Sequence, residues 1–289
     1  MFWLKLGFIS FGGPAGQIGL MHQALVVERR WISDKRFLHA LNYCMVLPGP
    51  EAQQLATYLG WLMHRTWGGV MAGLLFVLPS LVLLVGLSWA YVNFGQLPWM
   101  TALFNGIKPA VIAIVAQAVW RVGSRTLKHP VHWLLALGSL LATAFLQLPF
   151  PLVLLVAAAV GWVFRGRLSN ANESGHASSG GHNPLPAHAP FRPSHTAKLV
   201  LIGALLWGLP MALLWWWFGP SNTLWQMGAF FSKAALMTFG GAYAVLPYVF
   251  QGAVETYHWL TPAQMMDGLA LGESTPGPLI MVVNFIGFL

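Results

Sequence analysis

The chain has 289 residues, of which 57% are hydrophobic and only 8% are charged. A composition this apolar excludes an ordinary soluble domain and indicates an all-α, polytopic integral membrane protein. Fifteen Lys and Arg against seven Asp and Glu give a formal charge of +8. Because these cations cluster between apolar runs, they indicate membrane topology, and no nucleic-acid partner is predicted.

The first apolar stretch, residues 2–27, contains a helix-breaking triplet of Gly12, Gly13 and Pro14. Since such a triplet removes a backbone donor and weakens the helix, we predict two half-helices here instead of one straight span. A charged segment follows at residues 28–36 and is predicted to face water.

The next helix is predicted to be capped by Ser33 and to end at a Pro-Gly-Pro triplet, Pro48, Gly49 and Pro50. A new helix can then begin at Glu51 and run to about His64. Each arm of about 11–14 residues is roughly 16–21 Å long, which is short of a ~30 Å hydrocarbon core. A re-entrant hairpin with its tip near the membrane midplane is therefore predicted, with two crossing segments as the alternative.

Five uninterrupted apolar spans follow, at residues 68–91, 98–120, 131–148, 152–164 and 198–218. The first four form two hairpins whose basic ends are predicted to lie in the cytoplasm. Before the fifth span, residues 166–197 are rich in Ser, Gly, Asn, Pro and His, which indicates a flexible cytoplasmic linker. Its histidines are irregularly spaced, so we predict that they are solvated and hold no metal.

The chain repeats itself at an offset of 228 residues. This offset superposes the Gly-Gly pair at residues 12–13 on Gly240 and Gly241, and the first Pro-Gly-Pro triplet on Pro276, Gly277 and Pro278. It also pairs Lys5 with Lys233. The second copy lacks the basic residues that flank the first, and an odd number of spans separates the copies. Two inverted repeats are therefore predicted. The first would occupy residues 1–165, and residues 198–289 would hold a linking helix and the start of the second.

Helix breaks inside a membrane would present unpaired N–H groups and the positive ends of helix dipoles to an anion. The prolines and glycines would permit the breaks and allow close backbone approach, and neutral amides could add donors. Kinks that only shape packing are the alternative. The predicted pathway residues at these breaks are Gly12, Gly13, Pro14, Gln17, Pro48, Gly49, Pro50, Gln53, Gly240, Gly241, Pro276, Gly277 and Pro278.

Charged residues near the breaks are further candidates. Lys5 and Lys233 occupy equivalent positions before their Gly-Gly motifs, so they share either a role at the site or a snorkelling contact with the interface. Glu51 and Glu273 lie beside the Pro-Gly-Pro triplets and could carry a coupling proton, with helix N-terminal capping as the alternative for Glu51. Lys108 lies within a span, where snorkelling or a carbonyl contact is predicted.

No convergent nucleophile and base, no metal-ligand set and no dinucleotide fingerprint are present in the spans, so no enzyme activity and no cofactor are predicted. A non-transporting membrane scaffold is disfavoured because it would not require two matched helix breaks.

Four strings carry a family resemblance: FGGPAGQ from Phe11, LNYCMVLPGPEAQQLATYLGW from Leu41, HRTWGG from His64 and FSKAALMTFGGAYAVLPYV from Phe231. They resemble the chromate ion transporter family. The resemblance implies a multi-pass protein of the cell inner (cytoplasmic) membrane that exports chromate and confers chromate resistance, with two homologous halves of opposite orientation. A transporter or channel for sulfate or another anion is the alternative.

The repeat offset also predicts where a complete second copy would end. The counterparts of the hairpins at residues 98–164 would fall beyond Leu289, so we expect the second repeat to be truncated. A homo-oligomer or a complementing second chain would then be a plausible partner, beside the oxyanion and the lipid bilayer.

Overall fold

The structure is a computed structural model, and it describes residues 1–95, 97–127, 129–146, 148, 150–163, 193–239 and 242–289. Every regular element in these ranges is helical and none is a strand, which confirms the predicted all-α class. Most of the predicted linker lies outside the described residues. A helix begins at Pro193, so the last residues of the range predicted as linker are helical.

The elements of the first copy are α1 (Phe2–Ile9), α2 (Gly13–His22), the π-helical segment π1 (Gln23–Glu28), α3 (Asp34–Val46) and α4 (Glu51–Phe94). The connecting spans are α5 (Pro98–Thr126), α6 (Pro130–Ala144), α7 (Phe150–Val163) and α8 (Pro193–Phe218). The second copy consists of α9 (Thr223–Met237), α10 (Ala242–Phe250), π2 (Gln251–Thr256), α11 (Pro262–Ser274), a 3₁₀ turn (Leu279–Met281) and α12 (Val282–Phe288).

The first apolar stretch is broken as predicted. Helix α1 ends at Ile9, and α2 begins at Gly13 after Gly12, whose φ of 86° lies in the left-handed region that favours glycine. Pro14 occupies the first turn of α2, where its missing N–H costs no helical hydrogen bond. The first apolar stretch therefore consists of two separate helices and not of one continuous span.

The first Pro-Gly-Pro triplet separates α3 from α4. The Ser33 side chain caps α3 by accepting a hydrogen bond from the Arg36 N–H at 3.4 Å, and α3 begins at Asp34, directly after this predicted cap. The ring of Tyr43 on α3 lies 5.3 Å from that of Tyr58 on α4, and Cys44 is buried in the same apolar cluster as the first turns of α4. Two short arms thus pack side by side across the triplet.

Helix α4 is itself divided by non-helical backbone at His64 and Arg65, which gives the arms α4a (residues 51–63) and α4b (residues 66–94). The arms are antiparallel and in backbone contact, since a Cβ atom at Gly60 would overlap Gly68. The Gln53 Nε2 also donates to the Gly73 carbonyl at 2.8 Å. The predicted helix end near residue 64 is confirmed.

Among the described residues, three helical ranges are long and apolar enough to cross a bilayer: Glu51–Phe94, in which only the arm α4b is long enough by itself, Pro98–Gln117 and Thr196–Phe218. Shorter apolar helices accompany them at Pro130–Thr143, Leu152–Val163 and Leu279–Phe288. The protein is a multi-pass membrane protein, in agreement with its composition.

The elements of the two copies match at the 228-residue offset. Segment π1 corresponds residue for residue to π2, and α3 corresponds to α11. Even unusual backbone angles recur: φ is 52° at Arg30 and 53° at His258, although neither residue is glycine. The repeat is therefore present in the backbone as well as in the sequence, while the inverted orientation of the copies stays a prediction.

The chain divides into two compact units. Unit 1 contains residues 1–92, the described part of 183–249, and 271–289, so it includes both Pro-Gly-Pro triplets. Its core gathers apolar side chains from α1 to α4, with Leu25, Phe37 and Phe76 almost fully buried. Unit 2 contains the described residues of 93–182 together with 250–270, which are α5 to α7, π2 and most of α11.

Candidate functional site

Two backbone hydrogen bonds in unit 1 join each Pro-Gly-Pro triplet to the helix break of the other copy. The Gly277 N–H donates to the Ser10 carbonyl at 2.8 Å, and the Gly49 N–H donates to the Thr238 carbonyl at 2.7 Å. Both pairs of residues are related by the 228-residue offset. Such a reciprocal exchange is the mark of a two-fold relation, here between two copies within one chain. We name the two places junction A (Ser10 with Gly277) and junction B (Thr238 with Gly49).

Junction A is built by buried backbone and one buried amide. Gly277 has a φ of 113°, and a Cβ atom there would overlap Ser80 on α4b, so only glycine fits. The Gln17 Nε2 donates to the Gly277 carbonyl at 2.5 Å, and Gln17 is fully buried. Since the Gly277 N–H is bonded to Ser10, both backbone groups of this glycine are held by the first copy's broken helix.

A carboxyl group lies beside junction A. The Tyr243 hydroxyl donates to Glu273 Oε1 at 2.8 Å, and Glu273 is half-buried three residues before Pro276. A Cβ atom placed on Gly13 would lie 3.2 Å from the same hydroxyl, so α2 begins against Tyr243. The tyrosine thus connects the first copy's helix break to the second copy's carboxylate.

Junction B has the same backbone bond but different side chains. Gly49 has a φ of 127°, and the Gln54 Nε2 donates to the Pro48 carbonyl at 2.6 Å. The first triplet is more open than the second, because Pro48 is exposed whereas Pro276, Gly277 and Pro278 are all buried.

Glu51 is the carboxylate of junction B and stands at the first position of α4a. Its side chain is only 7% exposed, and its Oε1 has no hydrogen-bond partner among the described residues. The first-turn N–H groups that follow Glu51 have no acceptor within their own helix. A buried acidic group and the positive end of a helix dipole therefore share one place.

The polar groups at the junctions are suited to an anion and a proton. Helices α2 and α4a each begin directly after a break, so their unpaired N–H groups can replace the water around an oxyanion. Gln17 Oε1 and Gln53 Oε1 are further buried acceptors without a partner in the described part of the chain. Within these same ranges, no group of three or more His, Cys, Asp or Glu side chains is arranged to hold a metal.

Other predicted site residues lie away from the junction bonds or outside the described ranges. The side chains of Lys5 and Lys233 are both exposed, on α1 and α9. Gln53 bonds the neighbouring arm α4b and not a triplet. Gly240 and Gly241 lie outside the described residues.

In unit 2, the structure pairs two charges that the sequence did not connect. The Lys108 Nζ lies 2.9 Å from Asp267 Oδ1, and their side chains are 29% and 9% exposed. Lys108 is on α5 and Asp267 is on α11. The predicted snorkelling or carbonyl contact of Lys108 did not anticipate this partner.

Several residues at the junctions were missed by sequence reasoning. Ser10 and Thr238 immediately precede the matched Phe-Gly-Gly motifs, so the repeat offset itself was a signal for them. Tyr243 carried no signal, since its counterpart in the first copy is Ala15, and the counterpart of Ser80 would fall beyond Leu289. Contacts of this kind depend on packing between distant parts of the chain.

Comparison with known proteins gives one family. The family profile described as "Chromate transporter" matches residues 1–162 and 225–289. Over its full length, the chain is 33% identical to a chromate transport protein of Cupriavidus metallidurans and 34% identical to a probable chromate transport protein of Synechococcus elongatus. Over 99% of its length, it is 37% identical to a chromate transport protein of Pseudomonas aeruginosa.

The chain spans about two thirds of the length of these curated relatives, with 66%, 67% and 64% of their sequences covered. No solved structure matches the chain. The ranges that match the family profile include both Pro-Gly-Pro triplets and both junctions of this chain.

Proposed function

The chain belongs to the chromate transporter family, and from that premise we propose that it exports chromate across the cytoplasmic membrane and thereby confers chromate resistance. The family is one of transporters, and the proposal assigns no enzymatic step to the chain. The observation that supports it most directly is the reciprocal pair of hydrogen bonds that brings each helix break against the triplet of the other copy.

Moving a dianion through hydrocarbon requires groups that replace its hydration shell. We propose that the first-turn N–H groups of α2 and α4a supply these donors at the midplane, with the equivalent turns after Gly241 and Pro278 in the second copy. The amides of Gly49 and Gly277 are not among the donors, because each already bonds a carbonyl of the other copy. Their role in the proposal is to hold the breaks open at a fixed geometry.

Glu51 and Glu273 are the proposed coupling carboxylates. Each lies beside one junction in a buried or half-buried position, where a negative charge next to a bound dianion is unfavourable. Protonation would remove this repulsion, so binding of the anion and binding of a proton would favour each other. Two opposed junctions would then be used alternately as the inverted copies exchange access between the two sides.

Sulfate is the second candidate substrate. Chromate and sulfate are both tetrahedral dianions, and backbone N–H donors distinguish them little. Their discrimination would depend on the size of the cradle and on side chains such as Gln17, whose position is fixed by the bond to Gly277.

The direct test is transport of labelled chromate and labelled sulfate by the purified chain in inside-out vesicles. Accumulation of chromate, competed by excess unlabelled chromate, is the expected result. Movement of sulfate alone would overturn the substrate assignment, and movement of neither anion would overturn the transporter proposal.

The carboxylates are tested in the same vesicles with an imposed pH gradient. Glu51→Gln and Glu273→Gln are expected to remove the acceleration that the gradient causes in the parent protein. Glu255→Gln is a matched control, because Glu255 is an exposed carboxylate of π2 that belongs to neither triplet. A gradient response that survives in the Glu51→Gln and Glu273→Gln double variant would contradict proton coupling through these residues.

A further inference from the structure

The Lys108–Asp267 ion pair occupies an unusual position in unit 2. Lys108 lies about 15 Å along α5 from Pro98, counted at 1.5 Å per residue, so it is far from either end of this 29-residue helix. A charge placed so deep in a membrane span needs a partner, because hydrocarbon cannot solvate it. Asp267, in the middle of α11, supplies the opposite charge at 2.9 Å.

The two members of the pair differ in their access. The Asp267 carboxylate is almost completely enclosed, with 9% of its side chain exposed, whereas 29% of the Lys108 side chain is open. An ammonium group has three donors, so one carboxylate contact leaves donor capacity on the open side. The pair therefore includes a partly exposed cationic side chain in the middle of a membrane helix.

Stability alone does not explain why an ion pair lies at this position. Replacing a buried pair with apolar residues of similar volume is often neutral or stabilising, because desolvation offsets the attraction between the charges. A pair whose lysine is partly exposed instead offers an exchangeable site. The oxygens of a tetrahedral oxyanion can accept from an ammonium group as a carboxylate does.

We propose that Lys108 is a second oxyanion site and that Asp267 is its displaceable counter-ion. This inference rests on the proposed transport function but concerns a place separate from junctions A and B. The arriving oxyanion takes the position of the carboxylate at the ammonium group, and Asp267 recovers that position when the anion leaves. Because Asp267 belongs to α11, whose chain continues into the second Pro-Gly-Pro triplet, occupation of the site releases the tie between α5 and α11.

Binding and transport by single and double variants test this proposal. Lys108→Met is expected to raise the chromate concentration for half-maximal transport by roughly tenfold or more, as expected for loss of a charge-assisted contact. Asp267→Asn removes the competitor but keeps the cation, so it is expected to lower this concentration by several-fold. Lys198→Met is the control for loss of an exposed lysine, and it should leave the value unchanged.

The double variant Lys108→Met/Asp267→Leu separates this role from a structural one. It removes both charges of the pair together, so it should fold with a melting temperature close to that of the parent. The proposal expects chromate affinity to stay reduced in the double variant, as in Lys108→Met alone. Recovery of parental chromate affinity would overturn the proposal, because it would show that the pair serves only folding.

Chromate-dependent thermal stabilisation of the purified protein gives a readout that does not require transport. If the double variant fails to fold, Asp267→Asn decides the question: tighter chromate binding supports the proposal, and unchanged or weaker binding contradicts it.

Failure of the proposed function and failure of the second site are distinguishable. If the parent protein moves no chromate in vesicles, the proposed function fails first. If the parent transports and the double variant matches it, only the second site fails.

Discussion

At the scale of single residues, the two Pro-Gly-Pro glycines have the same backbone conformation but different neighbours. Both have φ values that favour glycine, 127° at Gly49 and 113° at Gly277. A Cβ atom at Gly277 would meet Ser80 close to its backbone, whereas at Gly49 it would meet the far end of the Gln54 side chain. The second position is therefore the more restrictive.

Alanine substitution should reveal this difference. Gly277→Ala is expected to cost more than Gly49→Ala, by about 1 kcal/mol or more, because backbone and a short side chain cannot move aside as the Gln54 amide can. The comparison is made by thermal unfolding in detergent, followed by tryptophan fluorescence. Equal losses in the two variants would show that the backbone angle alone sets the cost.

Arg30 offers a gain of stability. It is exposed and has a φ of 52°, a conformation that costs an ordinary residue roughly 1–2 kcal/mol but costs glycine little. Arg30→Gly is thus expected to raise the free energy of unfolding by up to about 1 kcal/mol after the entropy of the unfolded chain is counted. Lys35→Gly, in the first turn of α3, is the matched control and should lower it.

Individual residues also show which features of the structure can be predicted from sequence. Glycine and proline mark helix breaks through local backbone chemistry, so the interruptions at residues 12–14 and 48–50 were predictable, as was the Ser33 cap. The partners of Tyr243 and Lys108 were not predictable, because each contact joins residues far apart in sequence. Glu273 was identified by its closeness to a triplet, but its tyrosine partner comes from another helix.

At the scale of elements, the close packing of α4a on α4b depends on residues without side chains. A Cβ atom at Gly60 or Gly73 would overlap the neighbouring arm, whereas nothing lies within 4 Å of the Cβ position at Gly86. Small residues at such contacts let two helices approach closely in a membrane, where packing replaces the hydrophobic effect as the driving force.

This packing gives a prediction with an internal control. Gly60→Ala and Gly73→Ala are expected to destabilise the protein, because each methyl group forces the two arms apart. Gly86→Ala should be neutral or stabilising by up to about 1 kcal/mol, since alanine is the better helix former. Thermal unfolding of the three variants checks this, and destabilisation of all three alike would contradict a specific α4a–α4b contact.

Element boundaries were less predictable than element identity. Helix α5 continues to Thr126, beyond the span predicted from hydropathy, and α9 begins at Thr223 under an Asn222 cap. Polar residues at a span's end can continue a helix into water, so apolar length sets only a minimum for the helix. The short arms around the triplets were predicted more closely because proline limits them on one side.

At the scale of the whole molecule, the inverted orientation of the two copies is the central prediction that transport requires. It predicts that Lys35 and Ala263, which are equivalent at the 228-residue offset and both exposed, face opposite sides of the membrane. Lys35→Cys and Ala263→Cys are made in a Cys44→Ala background and treated with an impermeant thiol reagent in intact cells.

Labelling of the Ala263→Cys protein alone in intact cells, and of both proteins after the membrane is opened, is the expected outcome. It follows from the positive-inside rule, because the first copy carries the basic segment and the second does not. Labelling of both cysteines from the same side would exclude the inverted repeat and, with it, alternating use of the two junctions.

The reciprocal junctions also determine when the first copy can complete its hydrogen bonds during biosynthesis. Gln17 and Gly277, which bond each other in junction A, are 260 residues apart. At 5–20 residues per second, the ribosome needs roughly 10–50 s to produce the second after the first. During that interval the broken helix of the first copy lacks its partner, so the Gln17 amide and the Ser10 carbonyl need other hydrogen-bonding groups until translation reaches the second triplet.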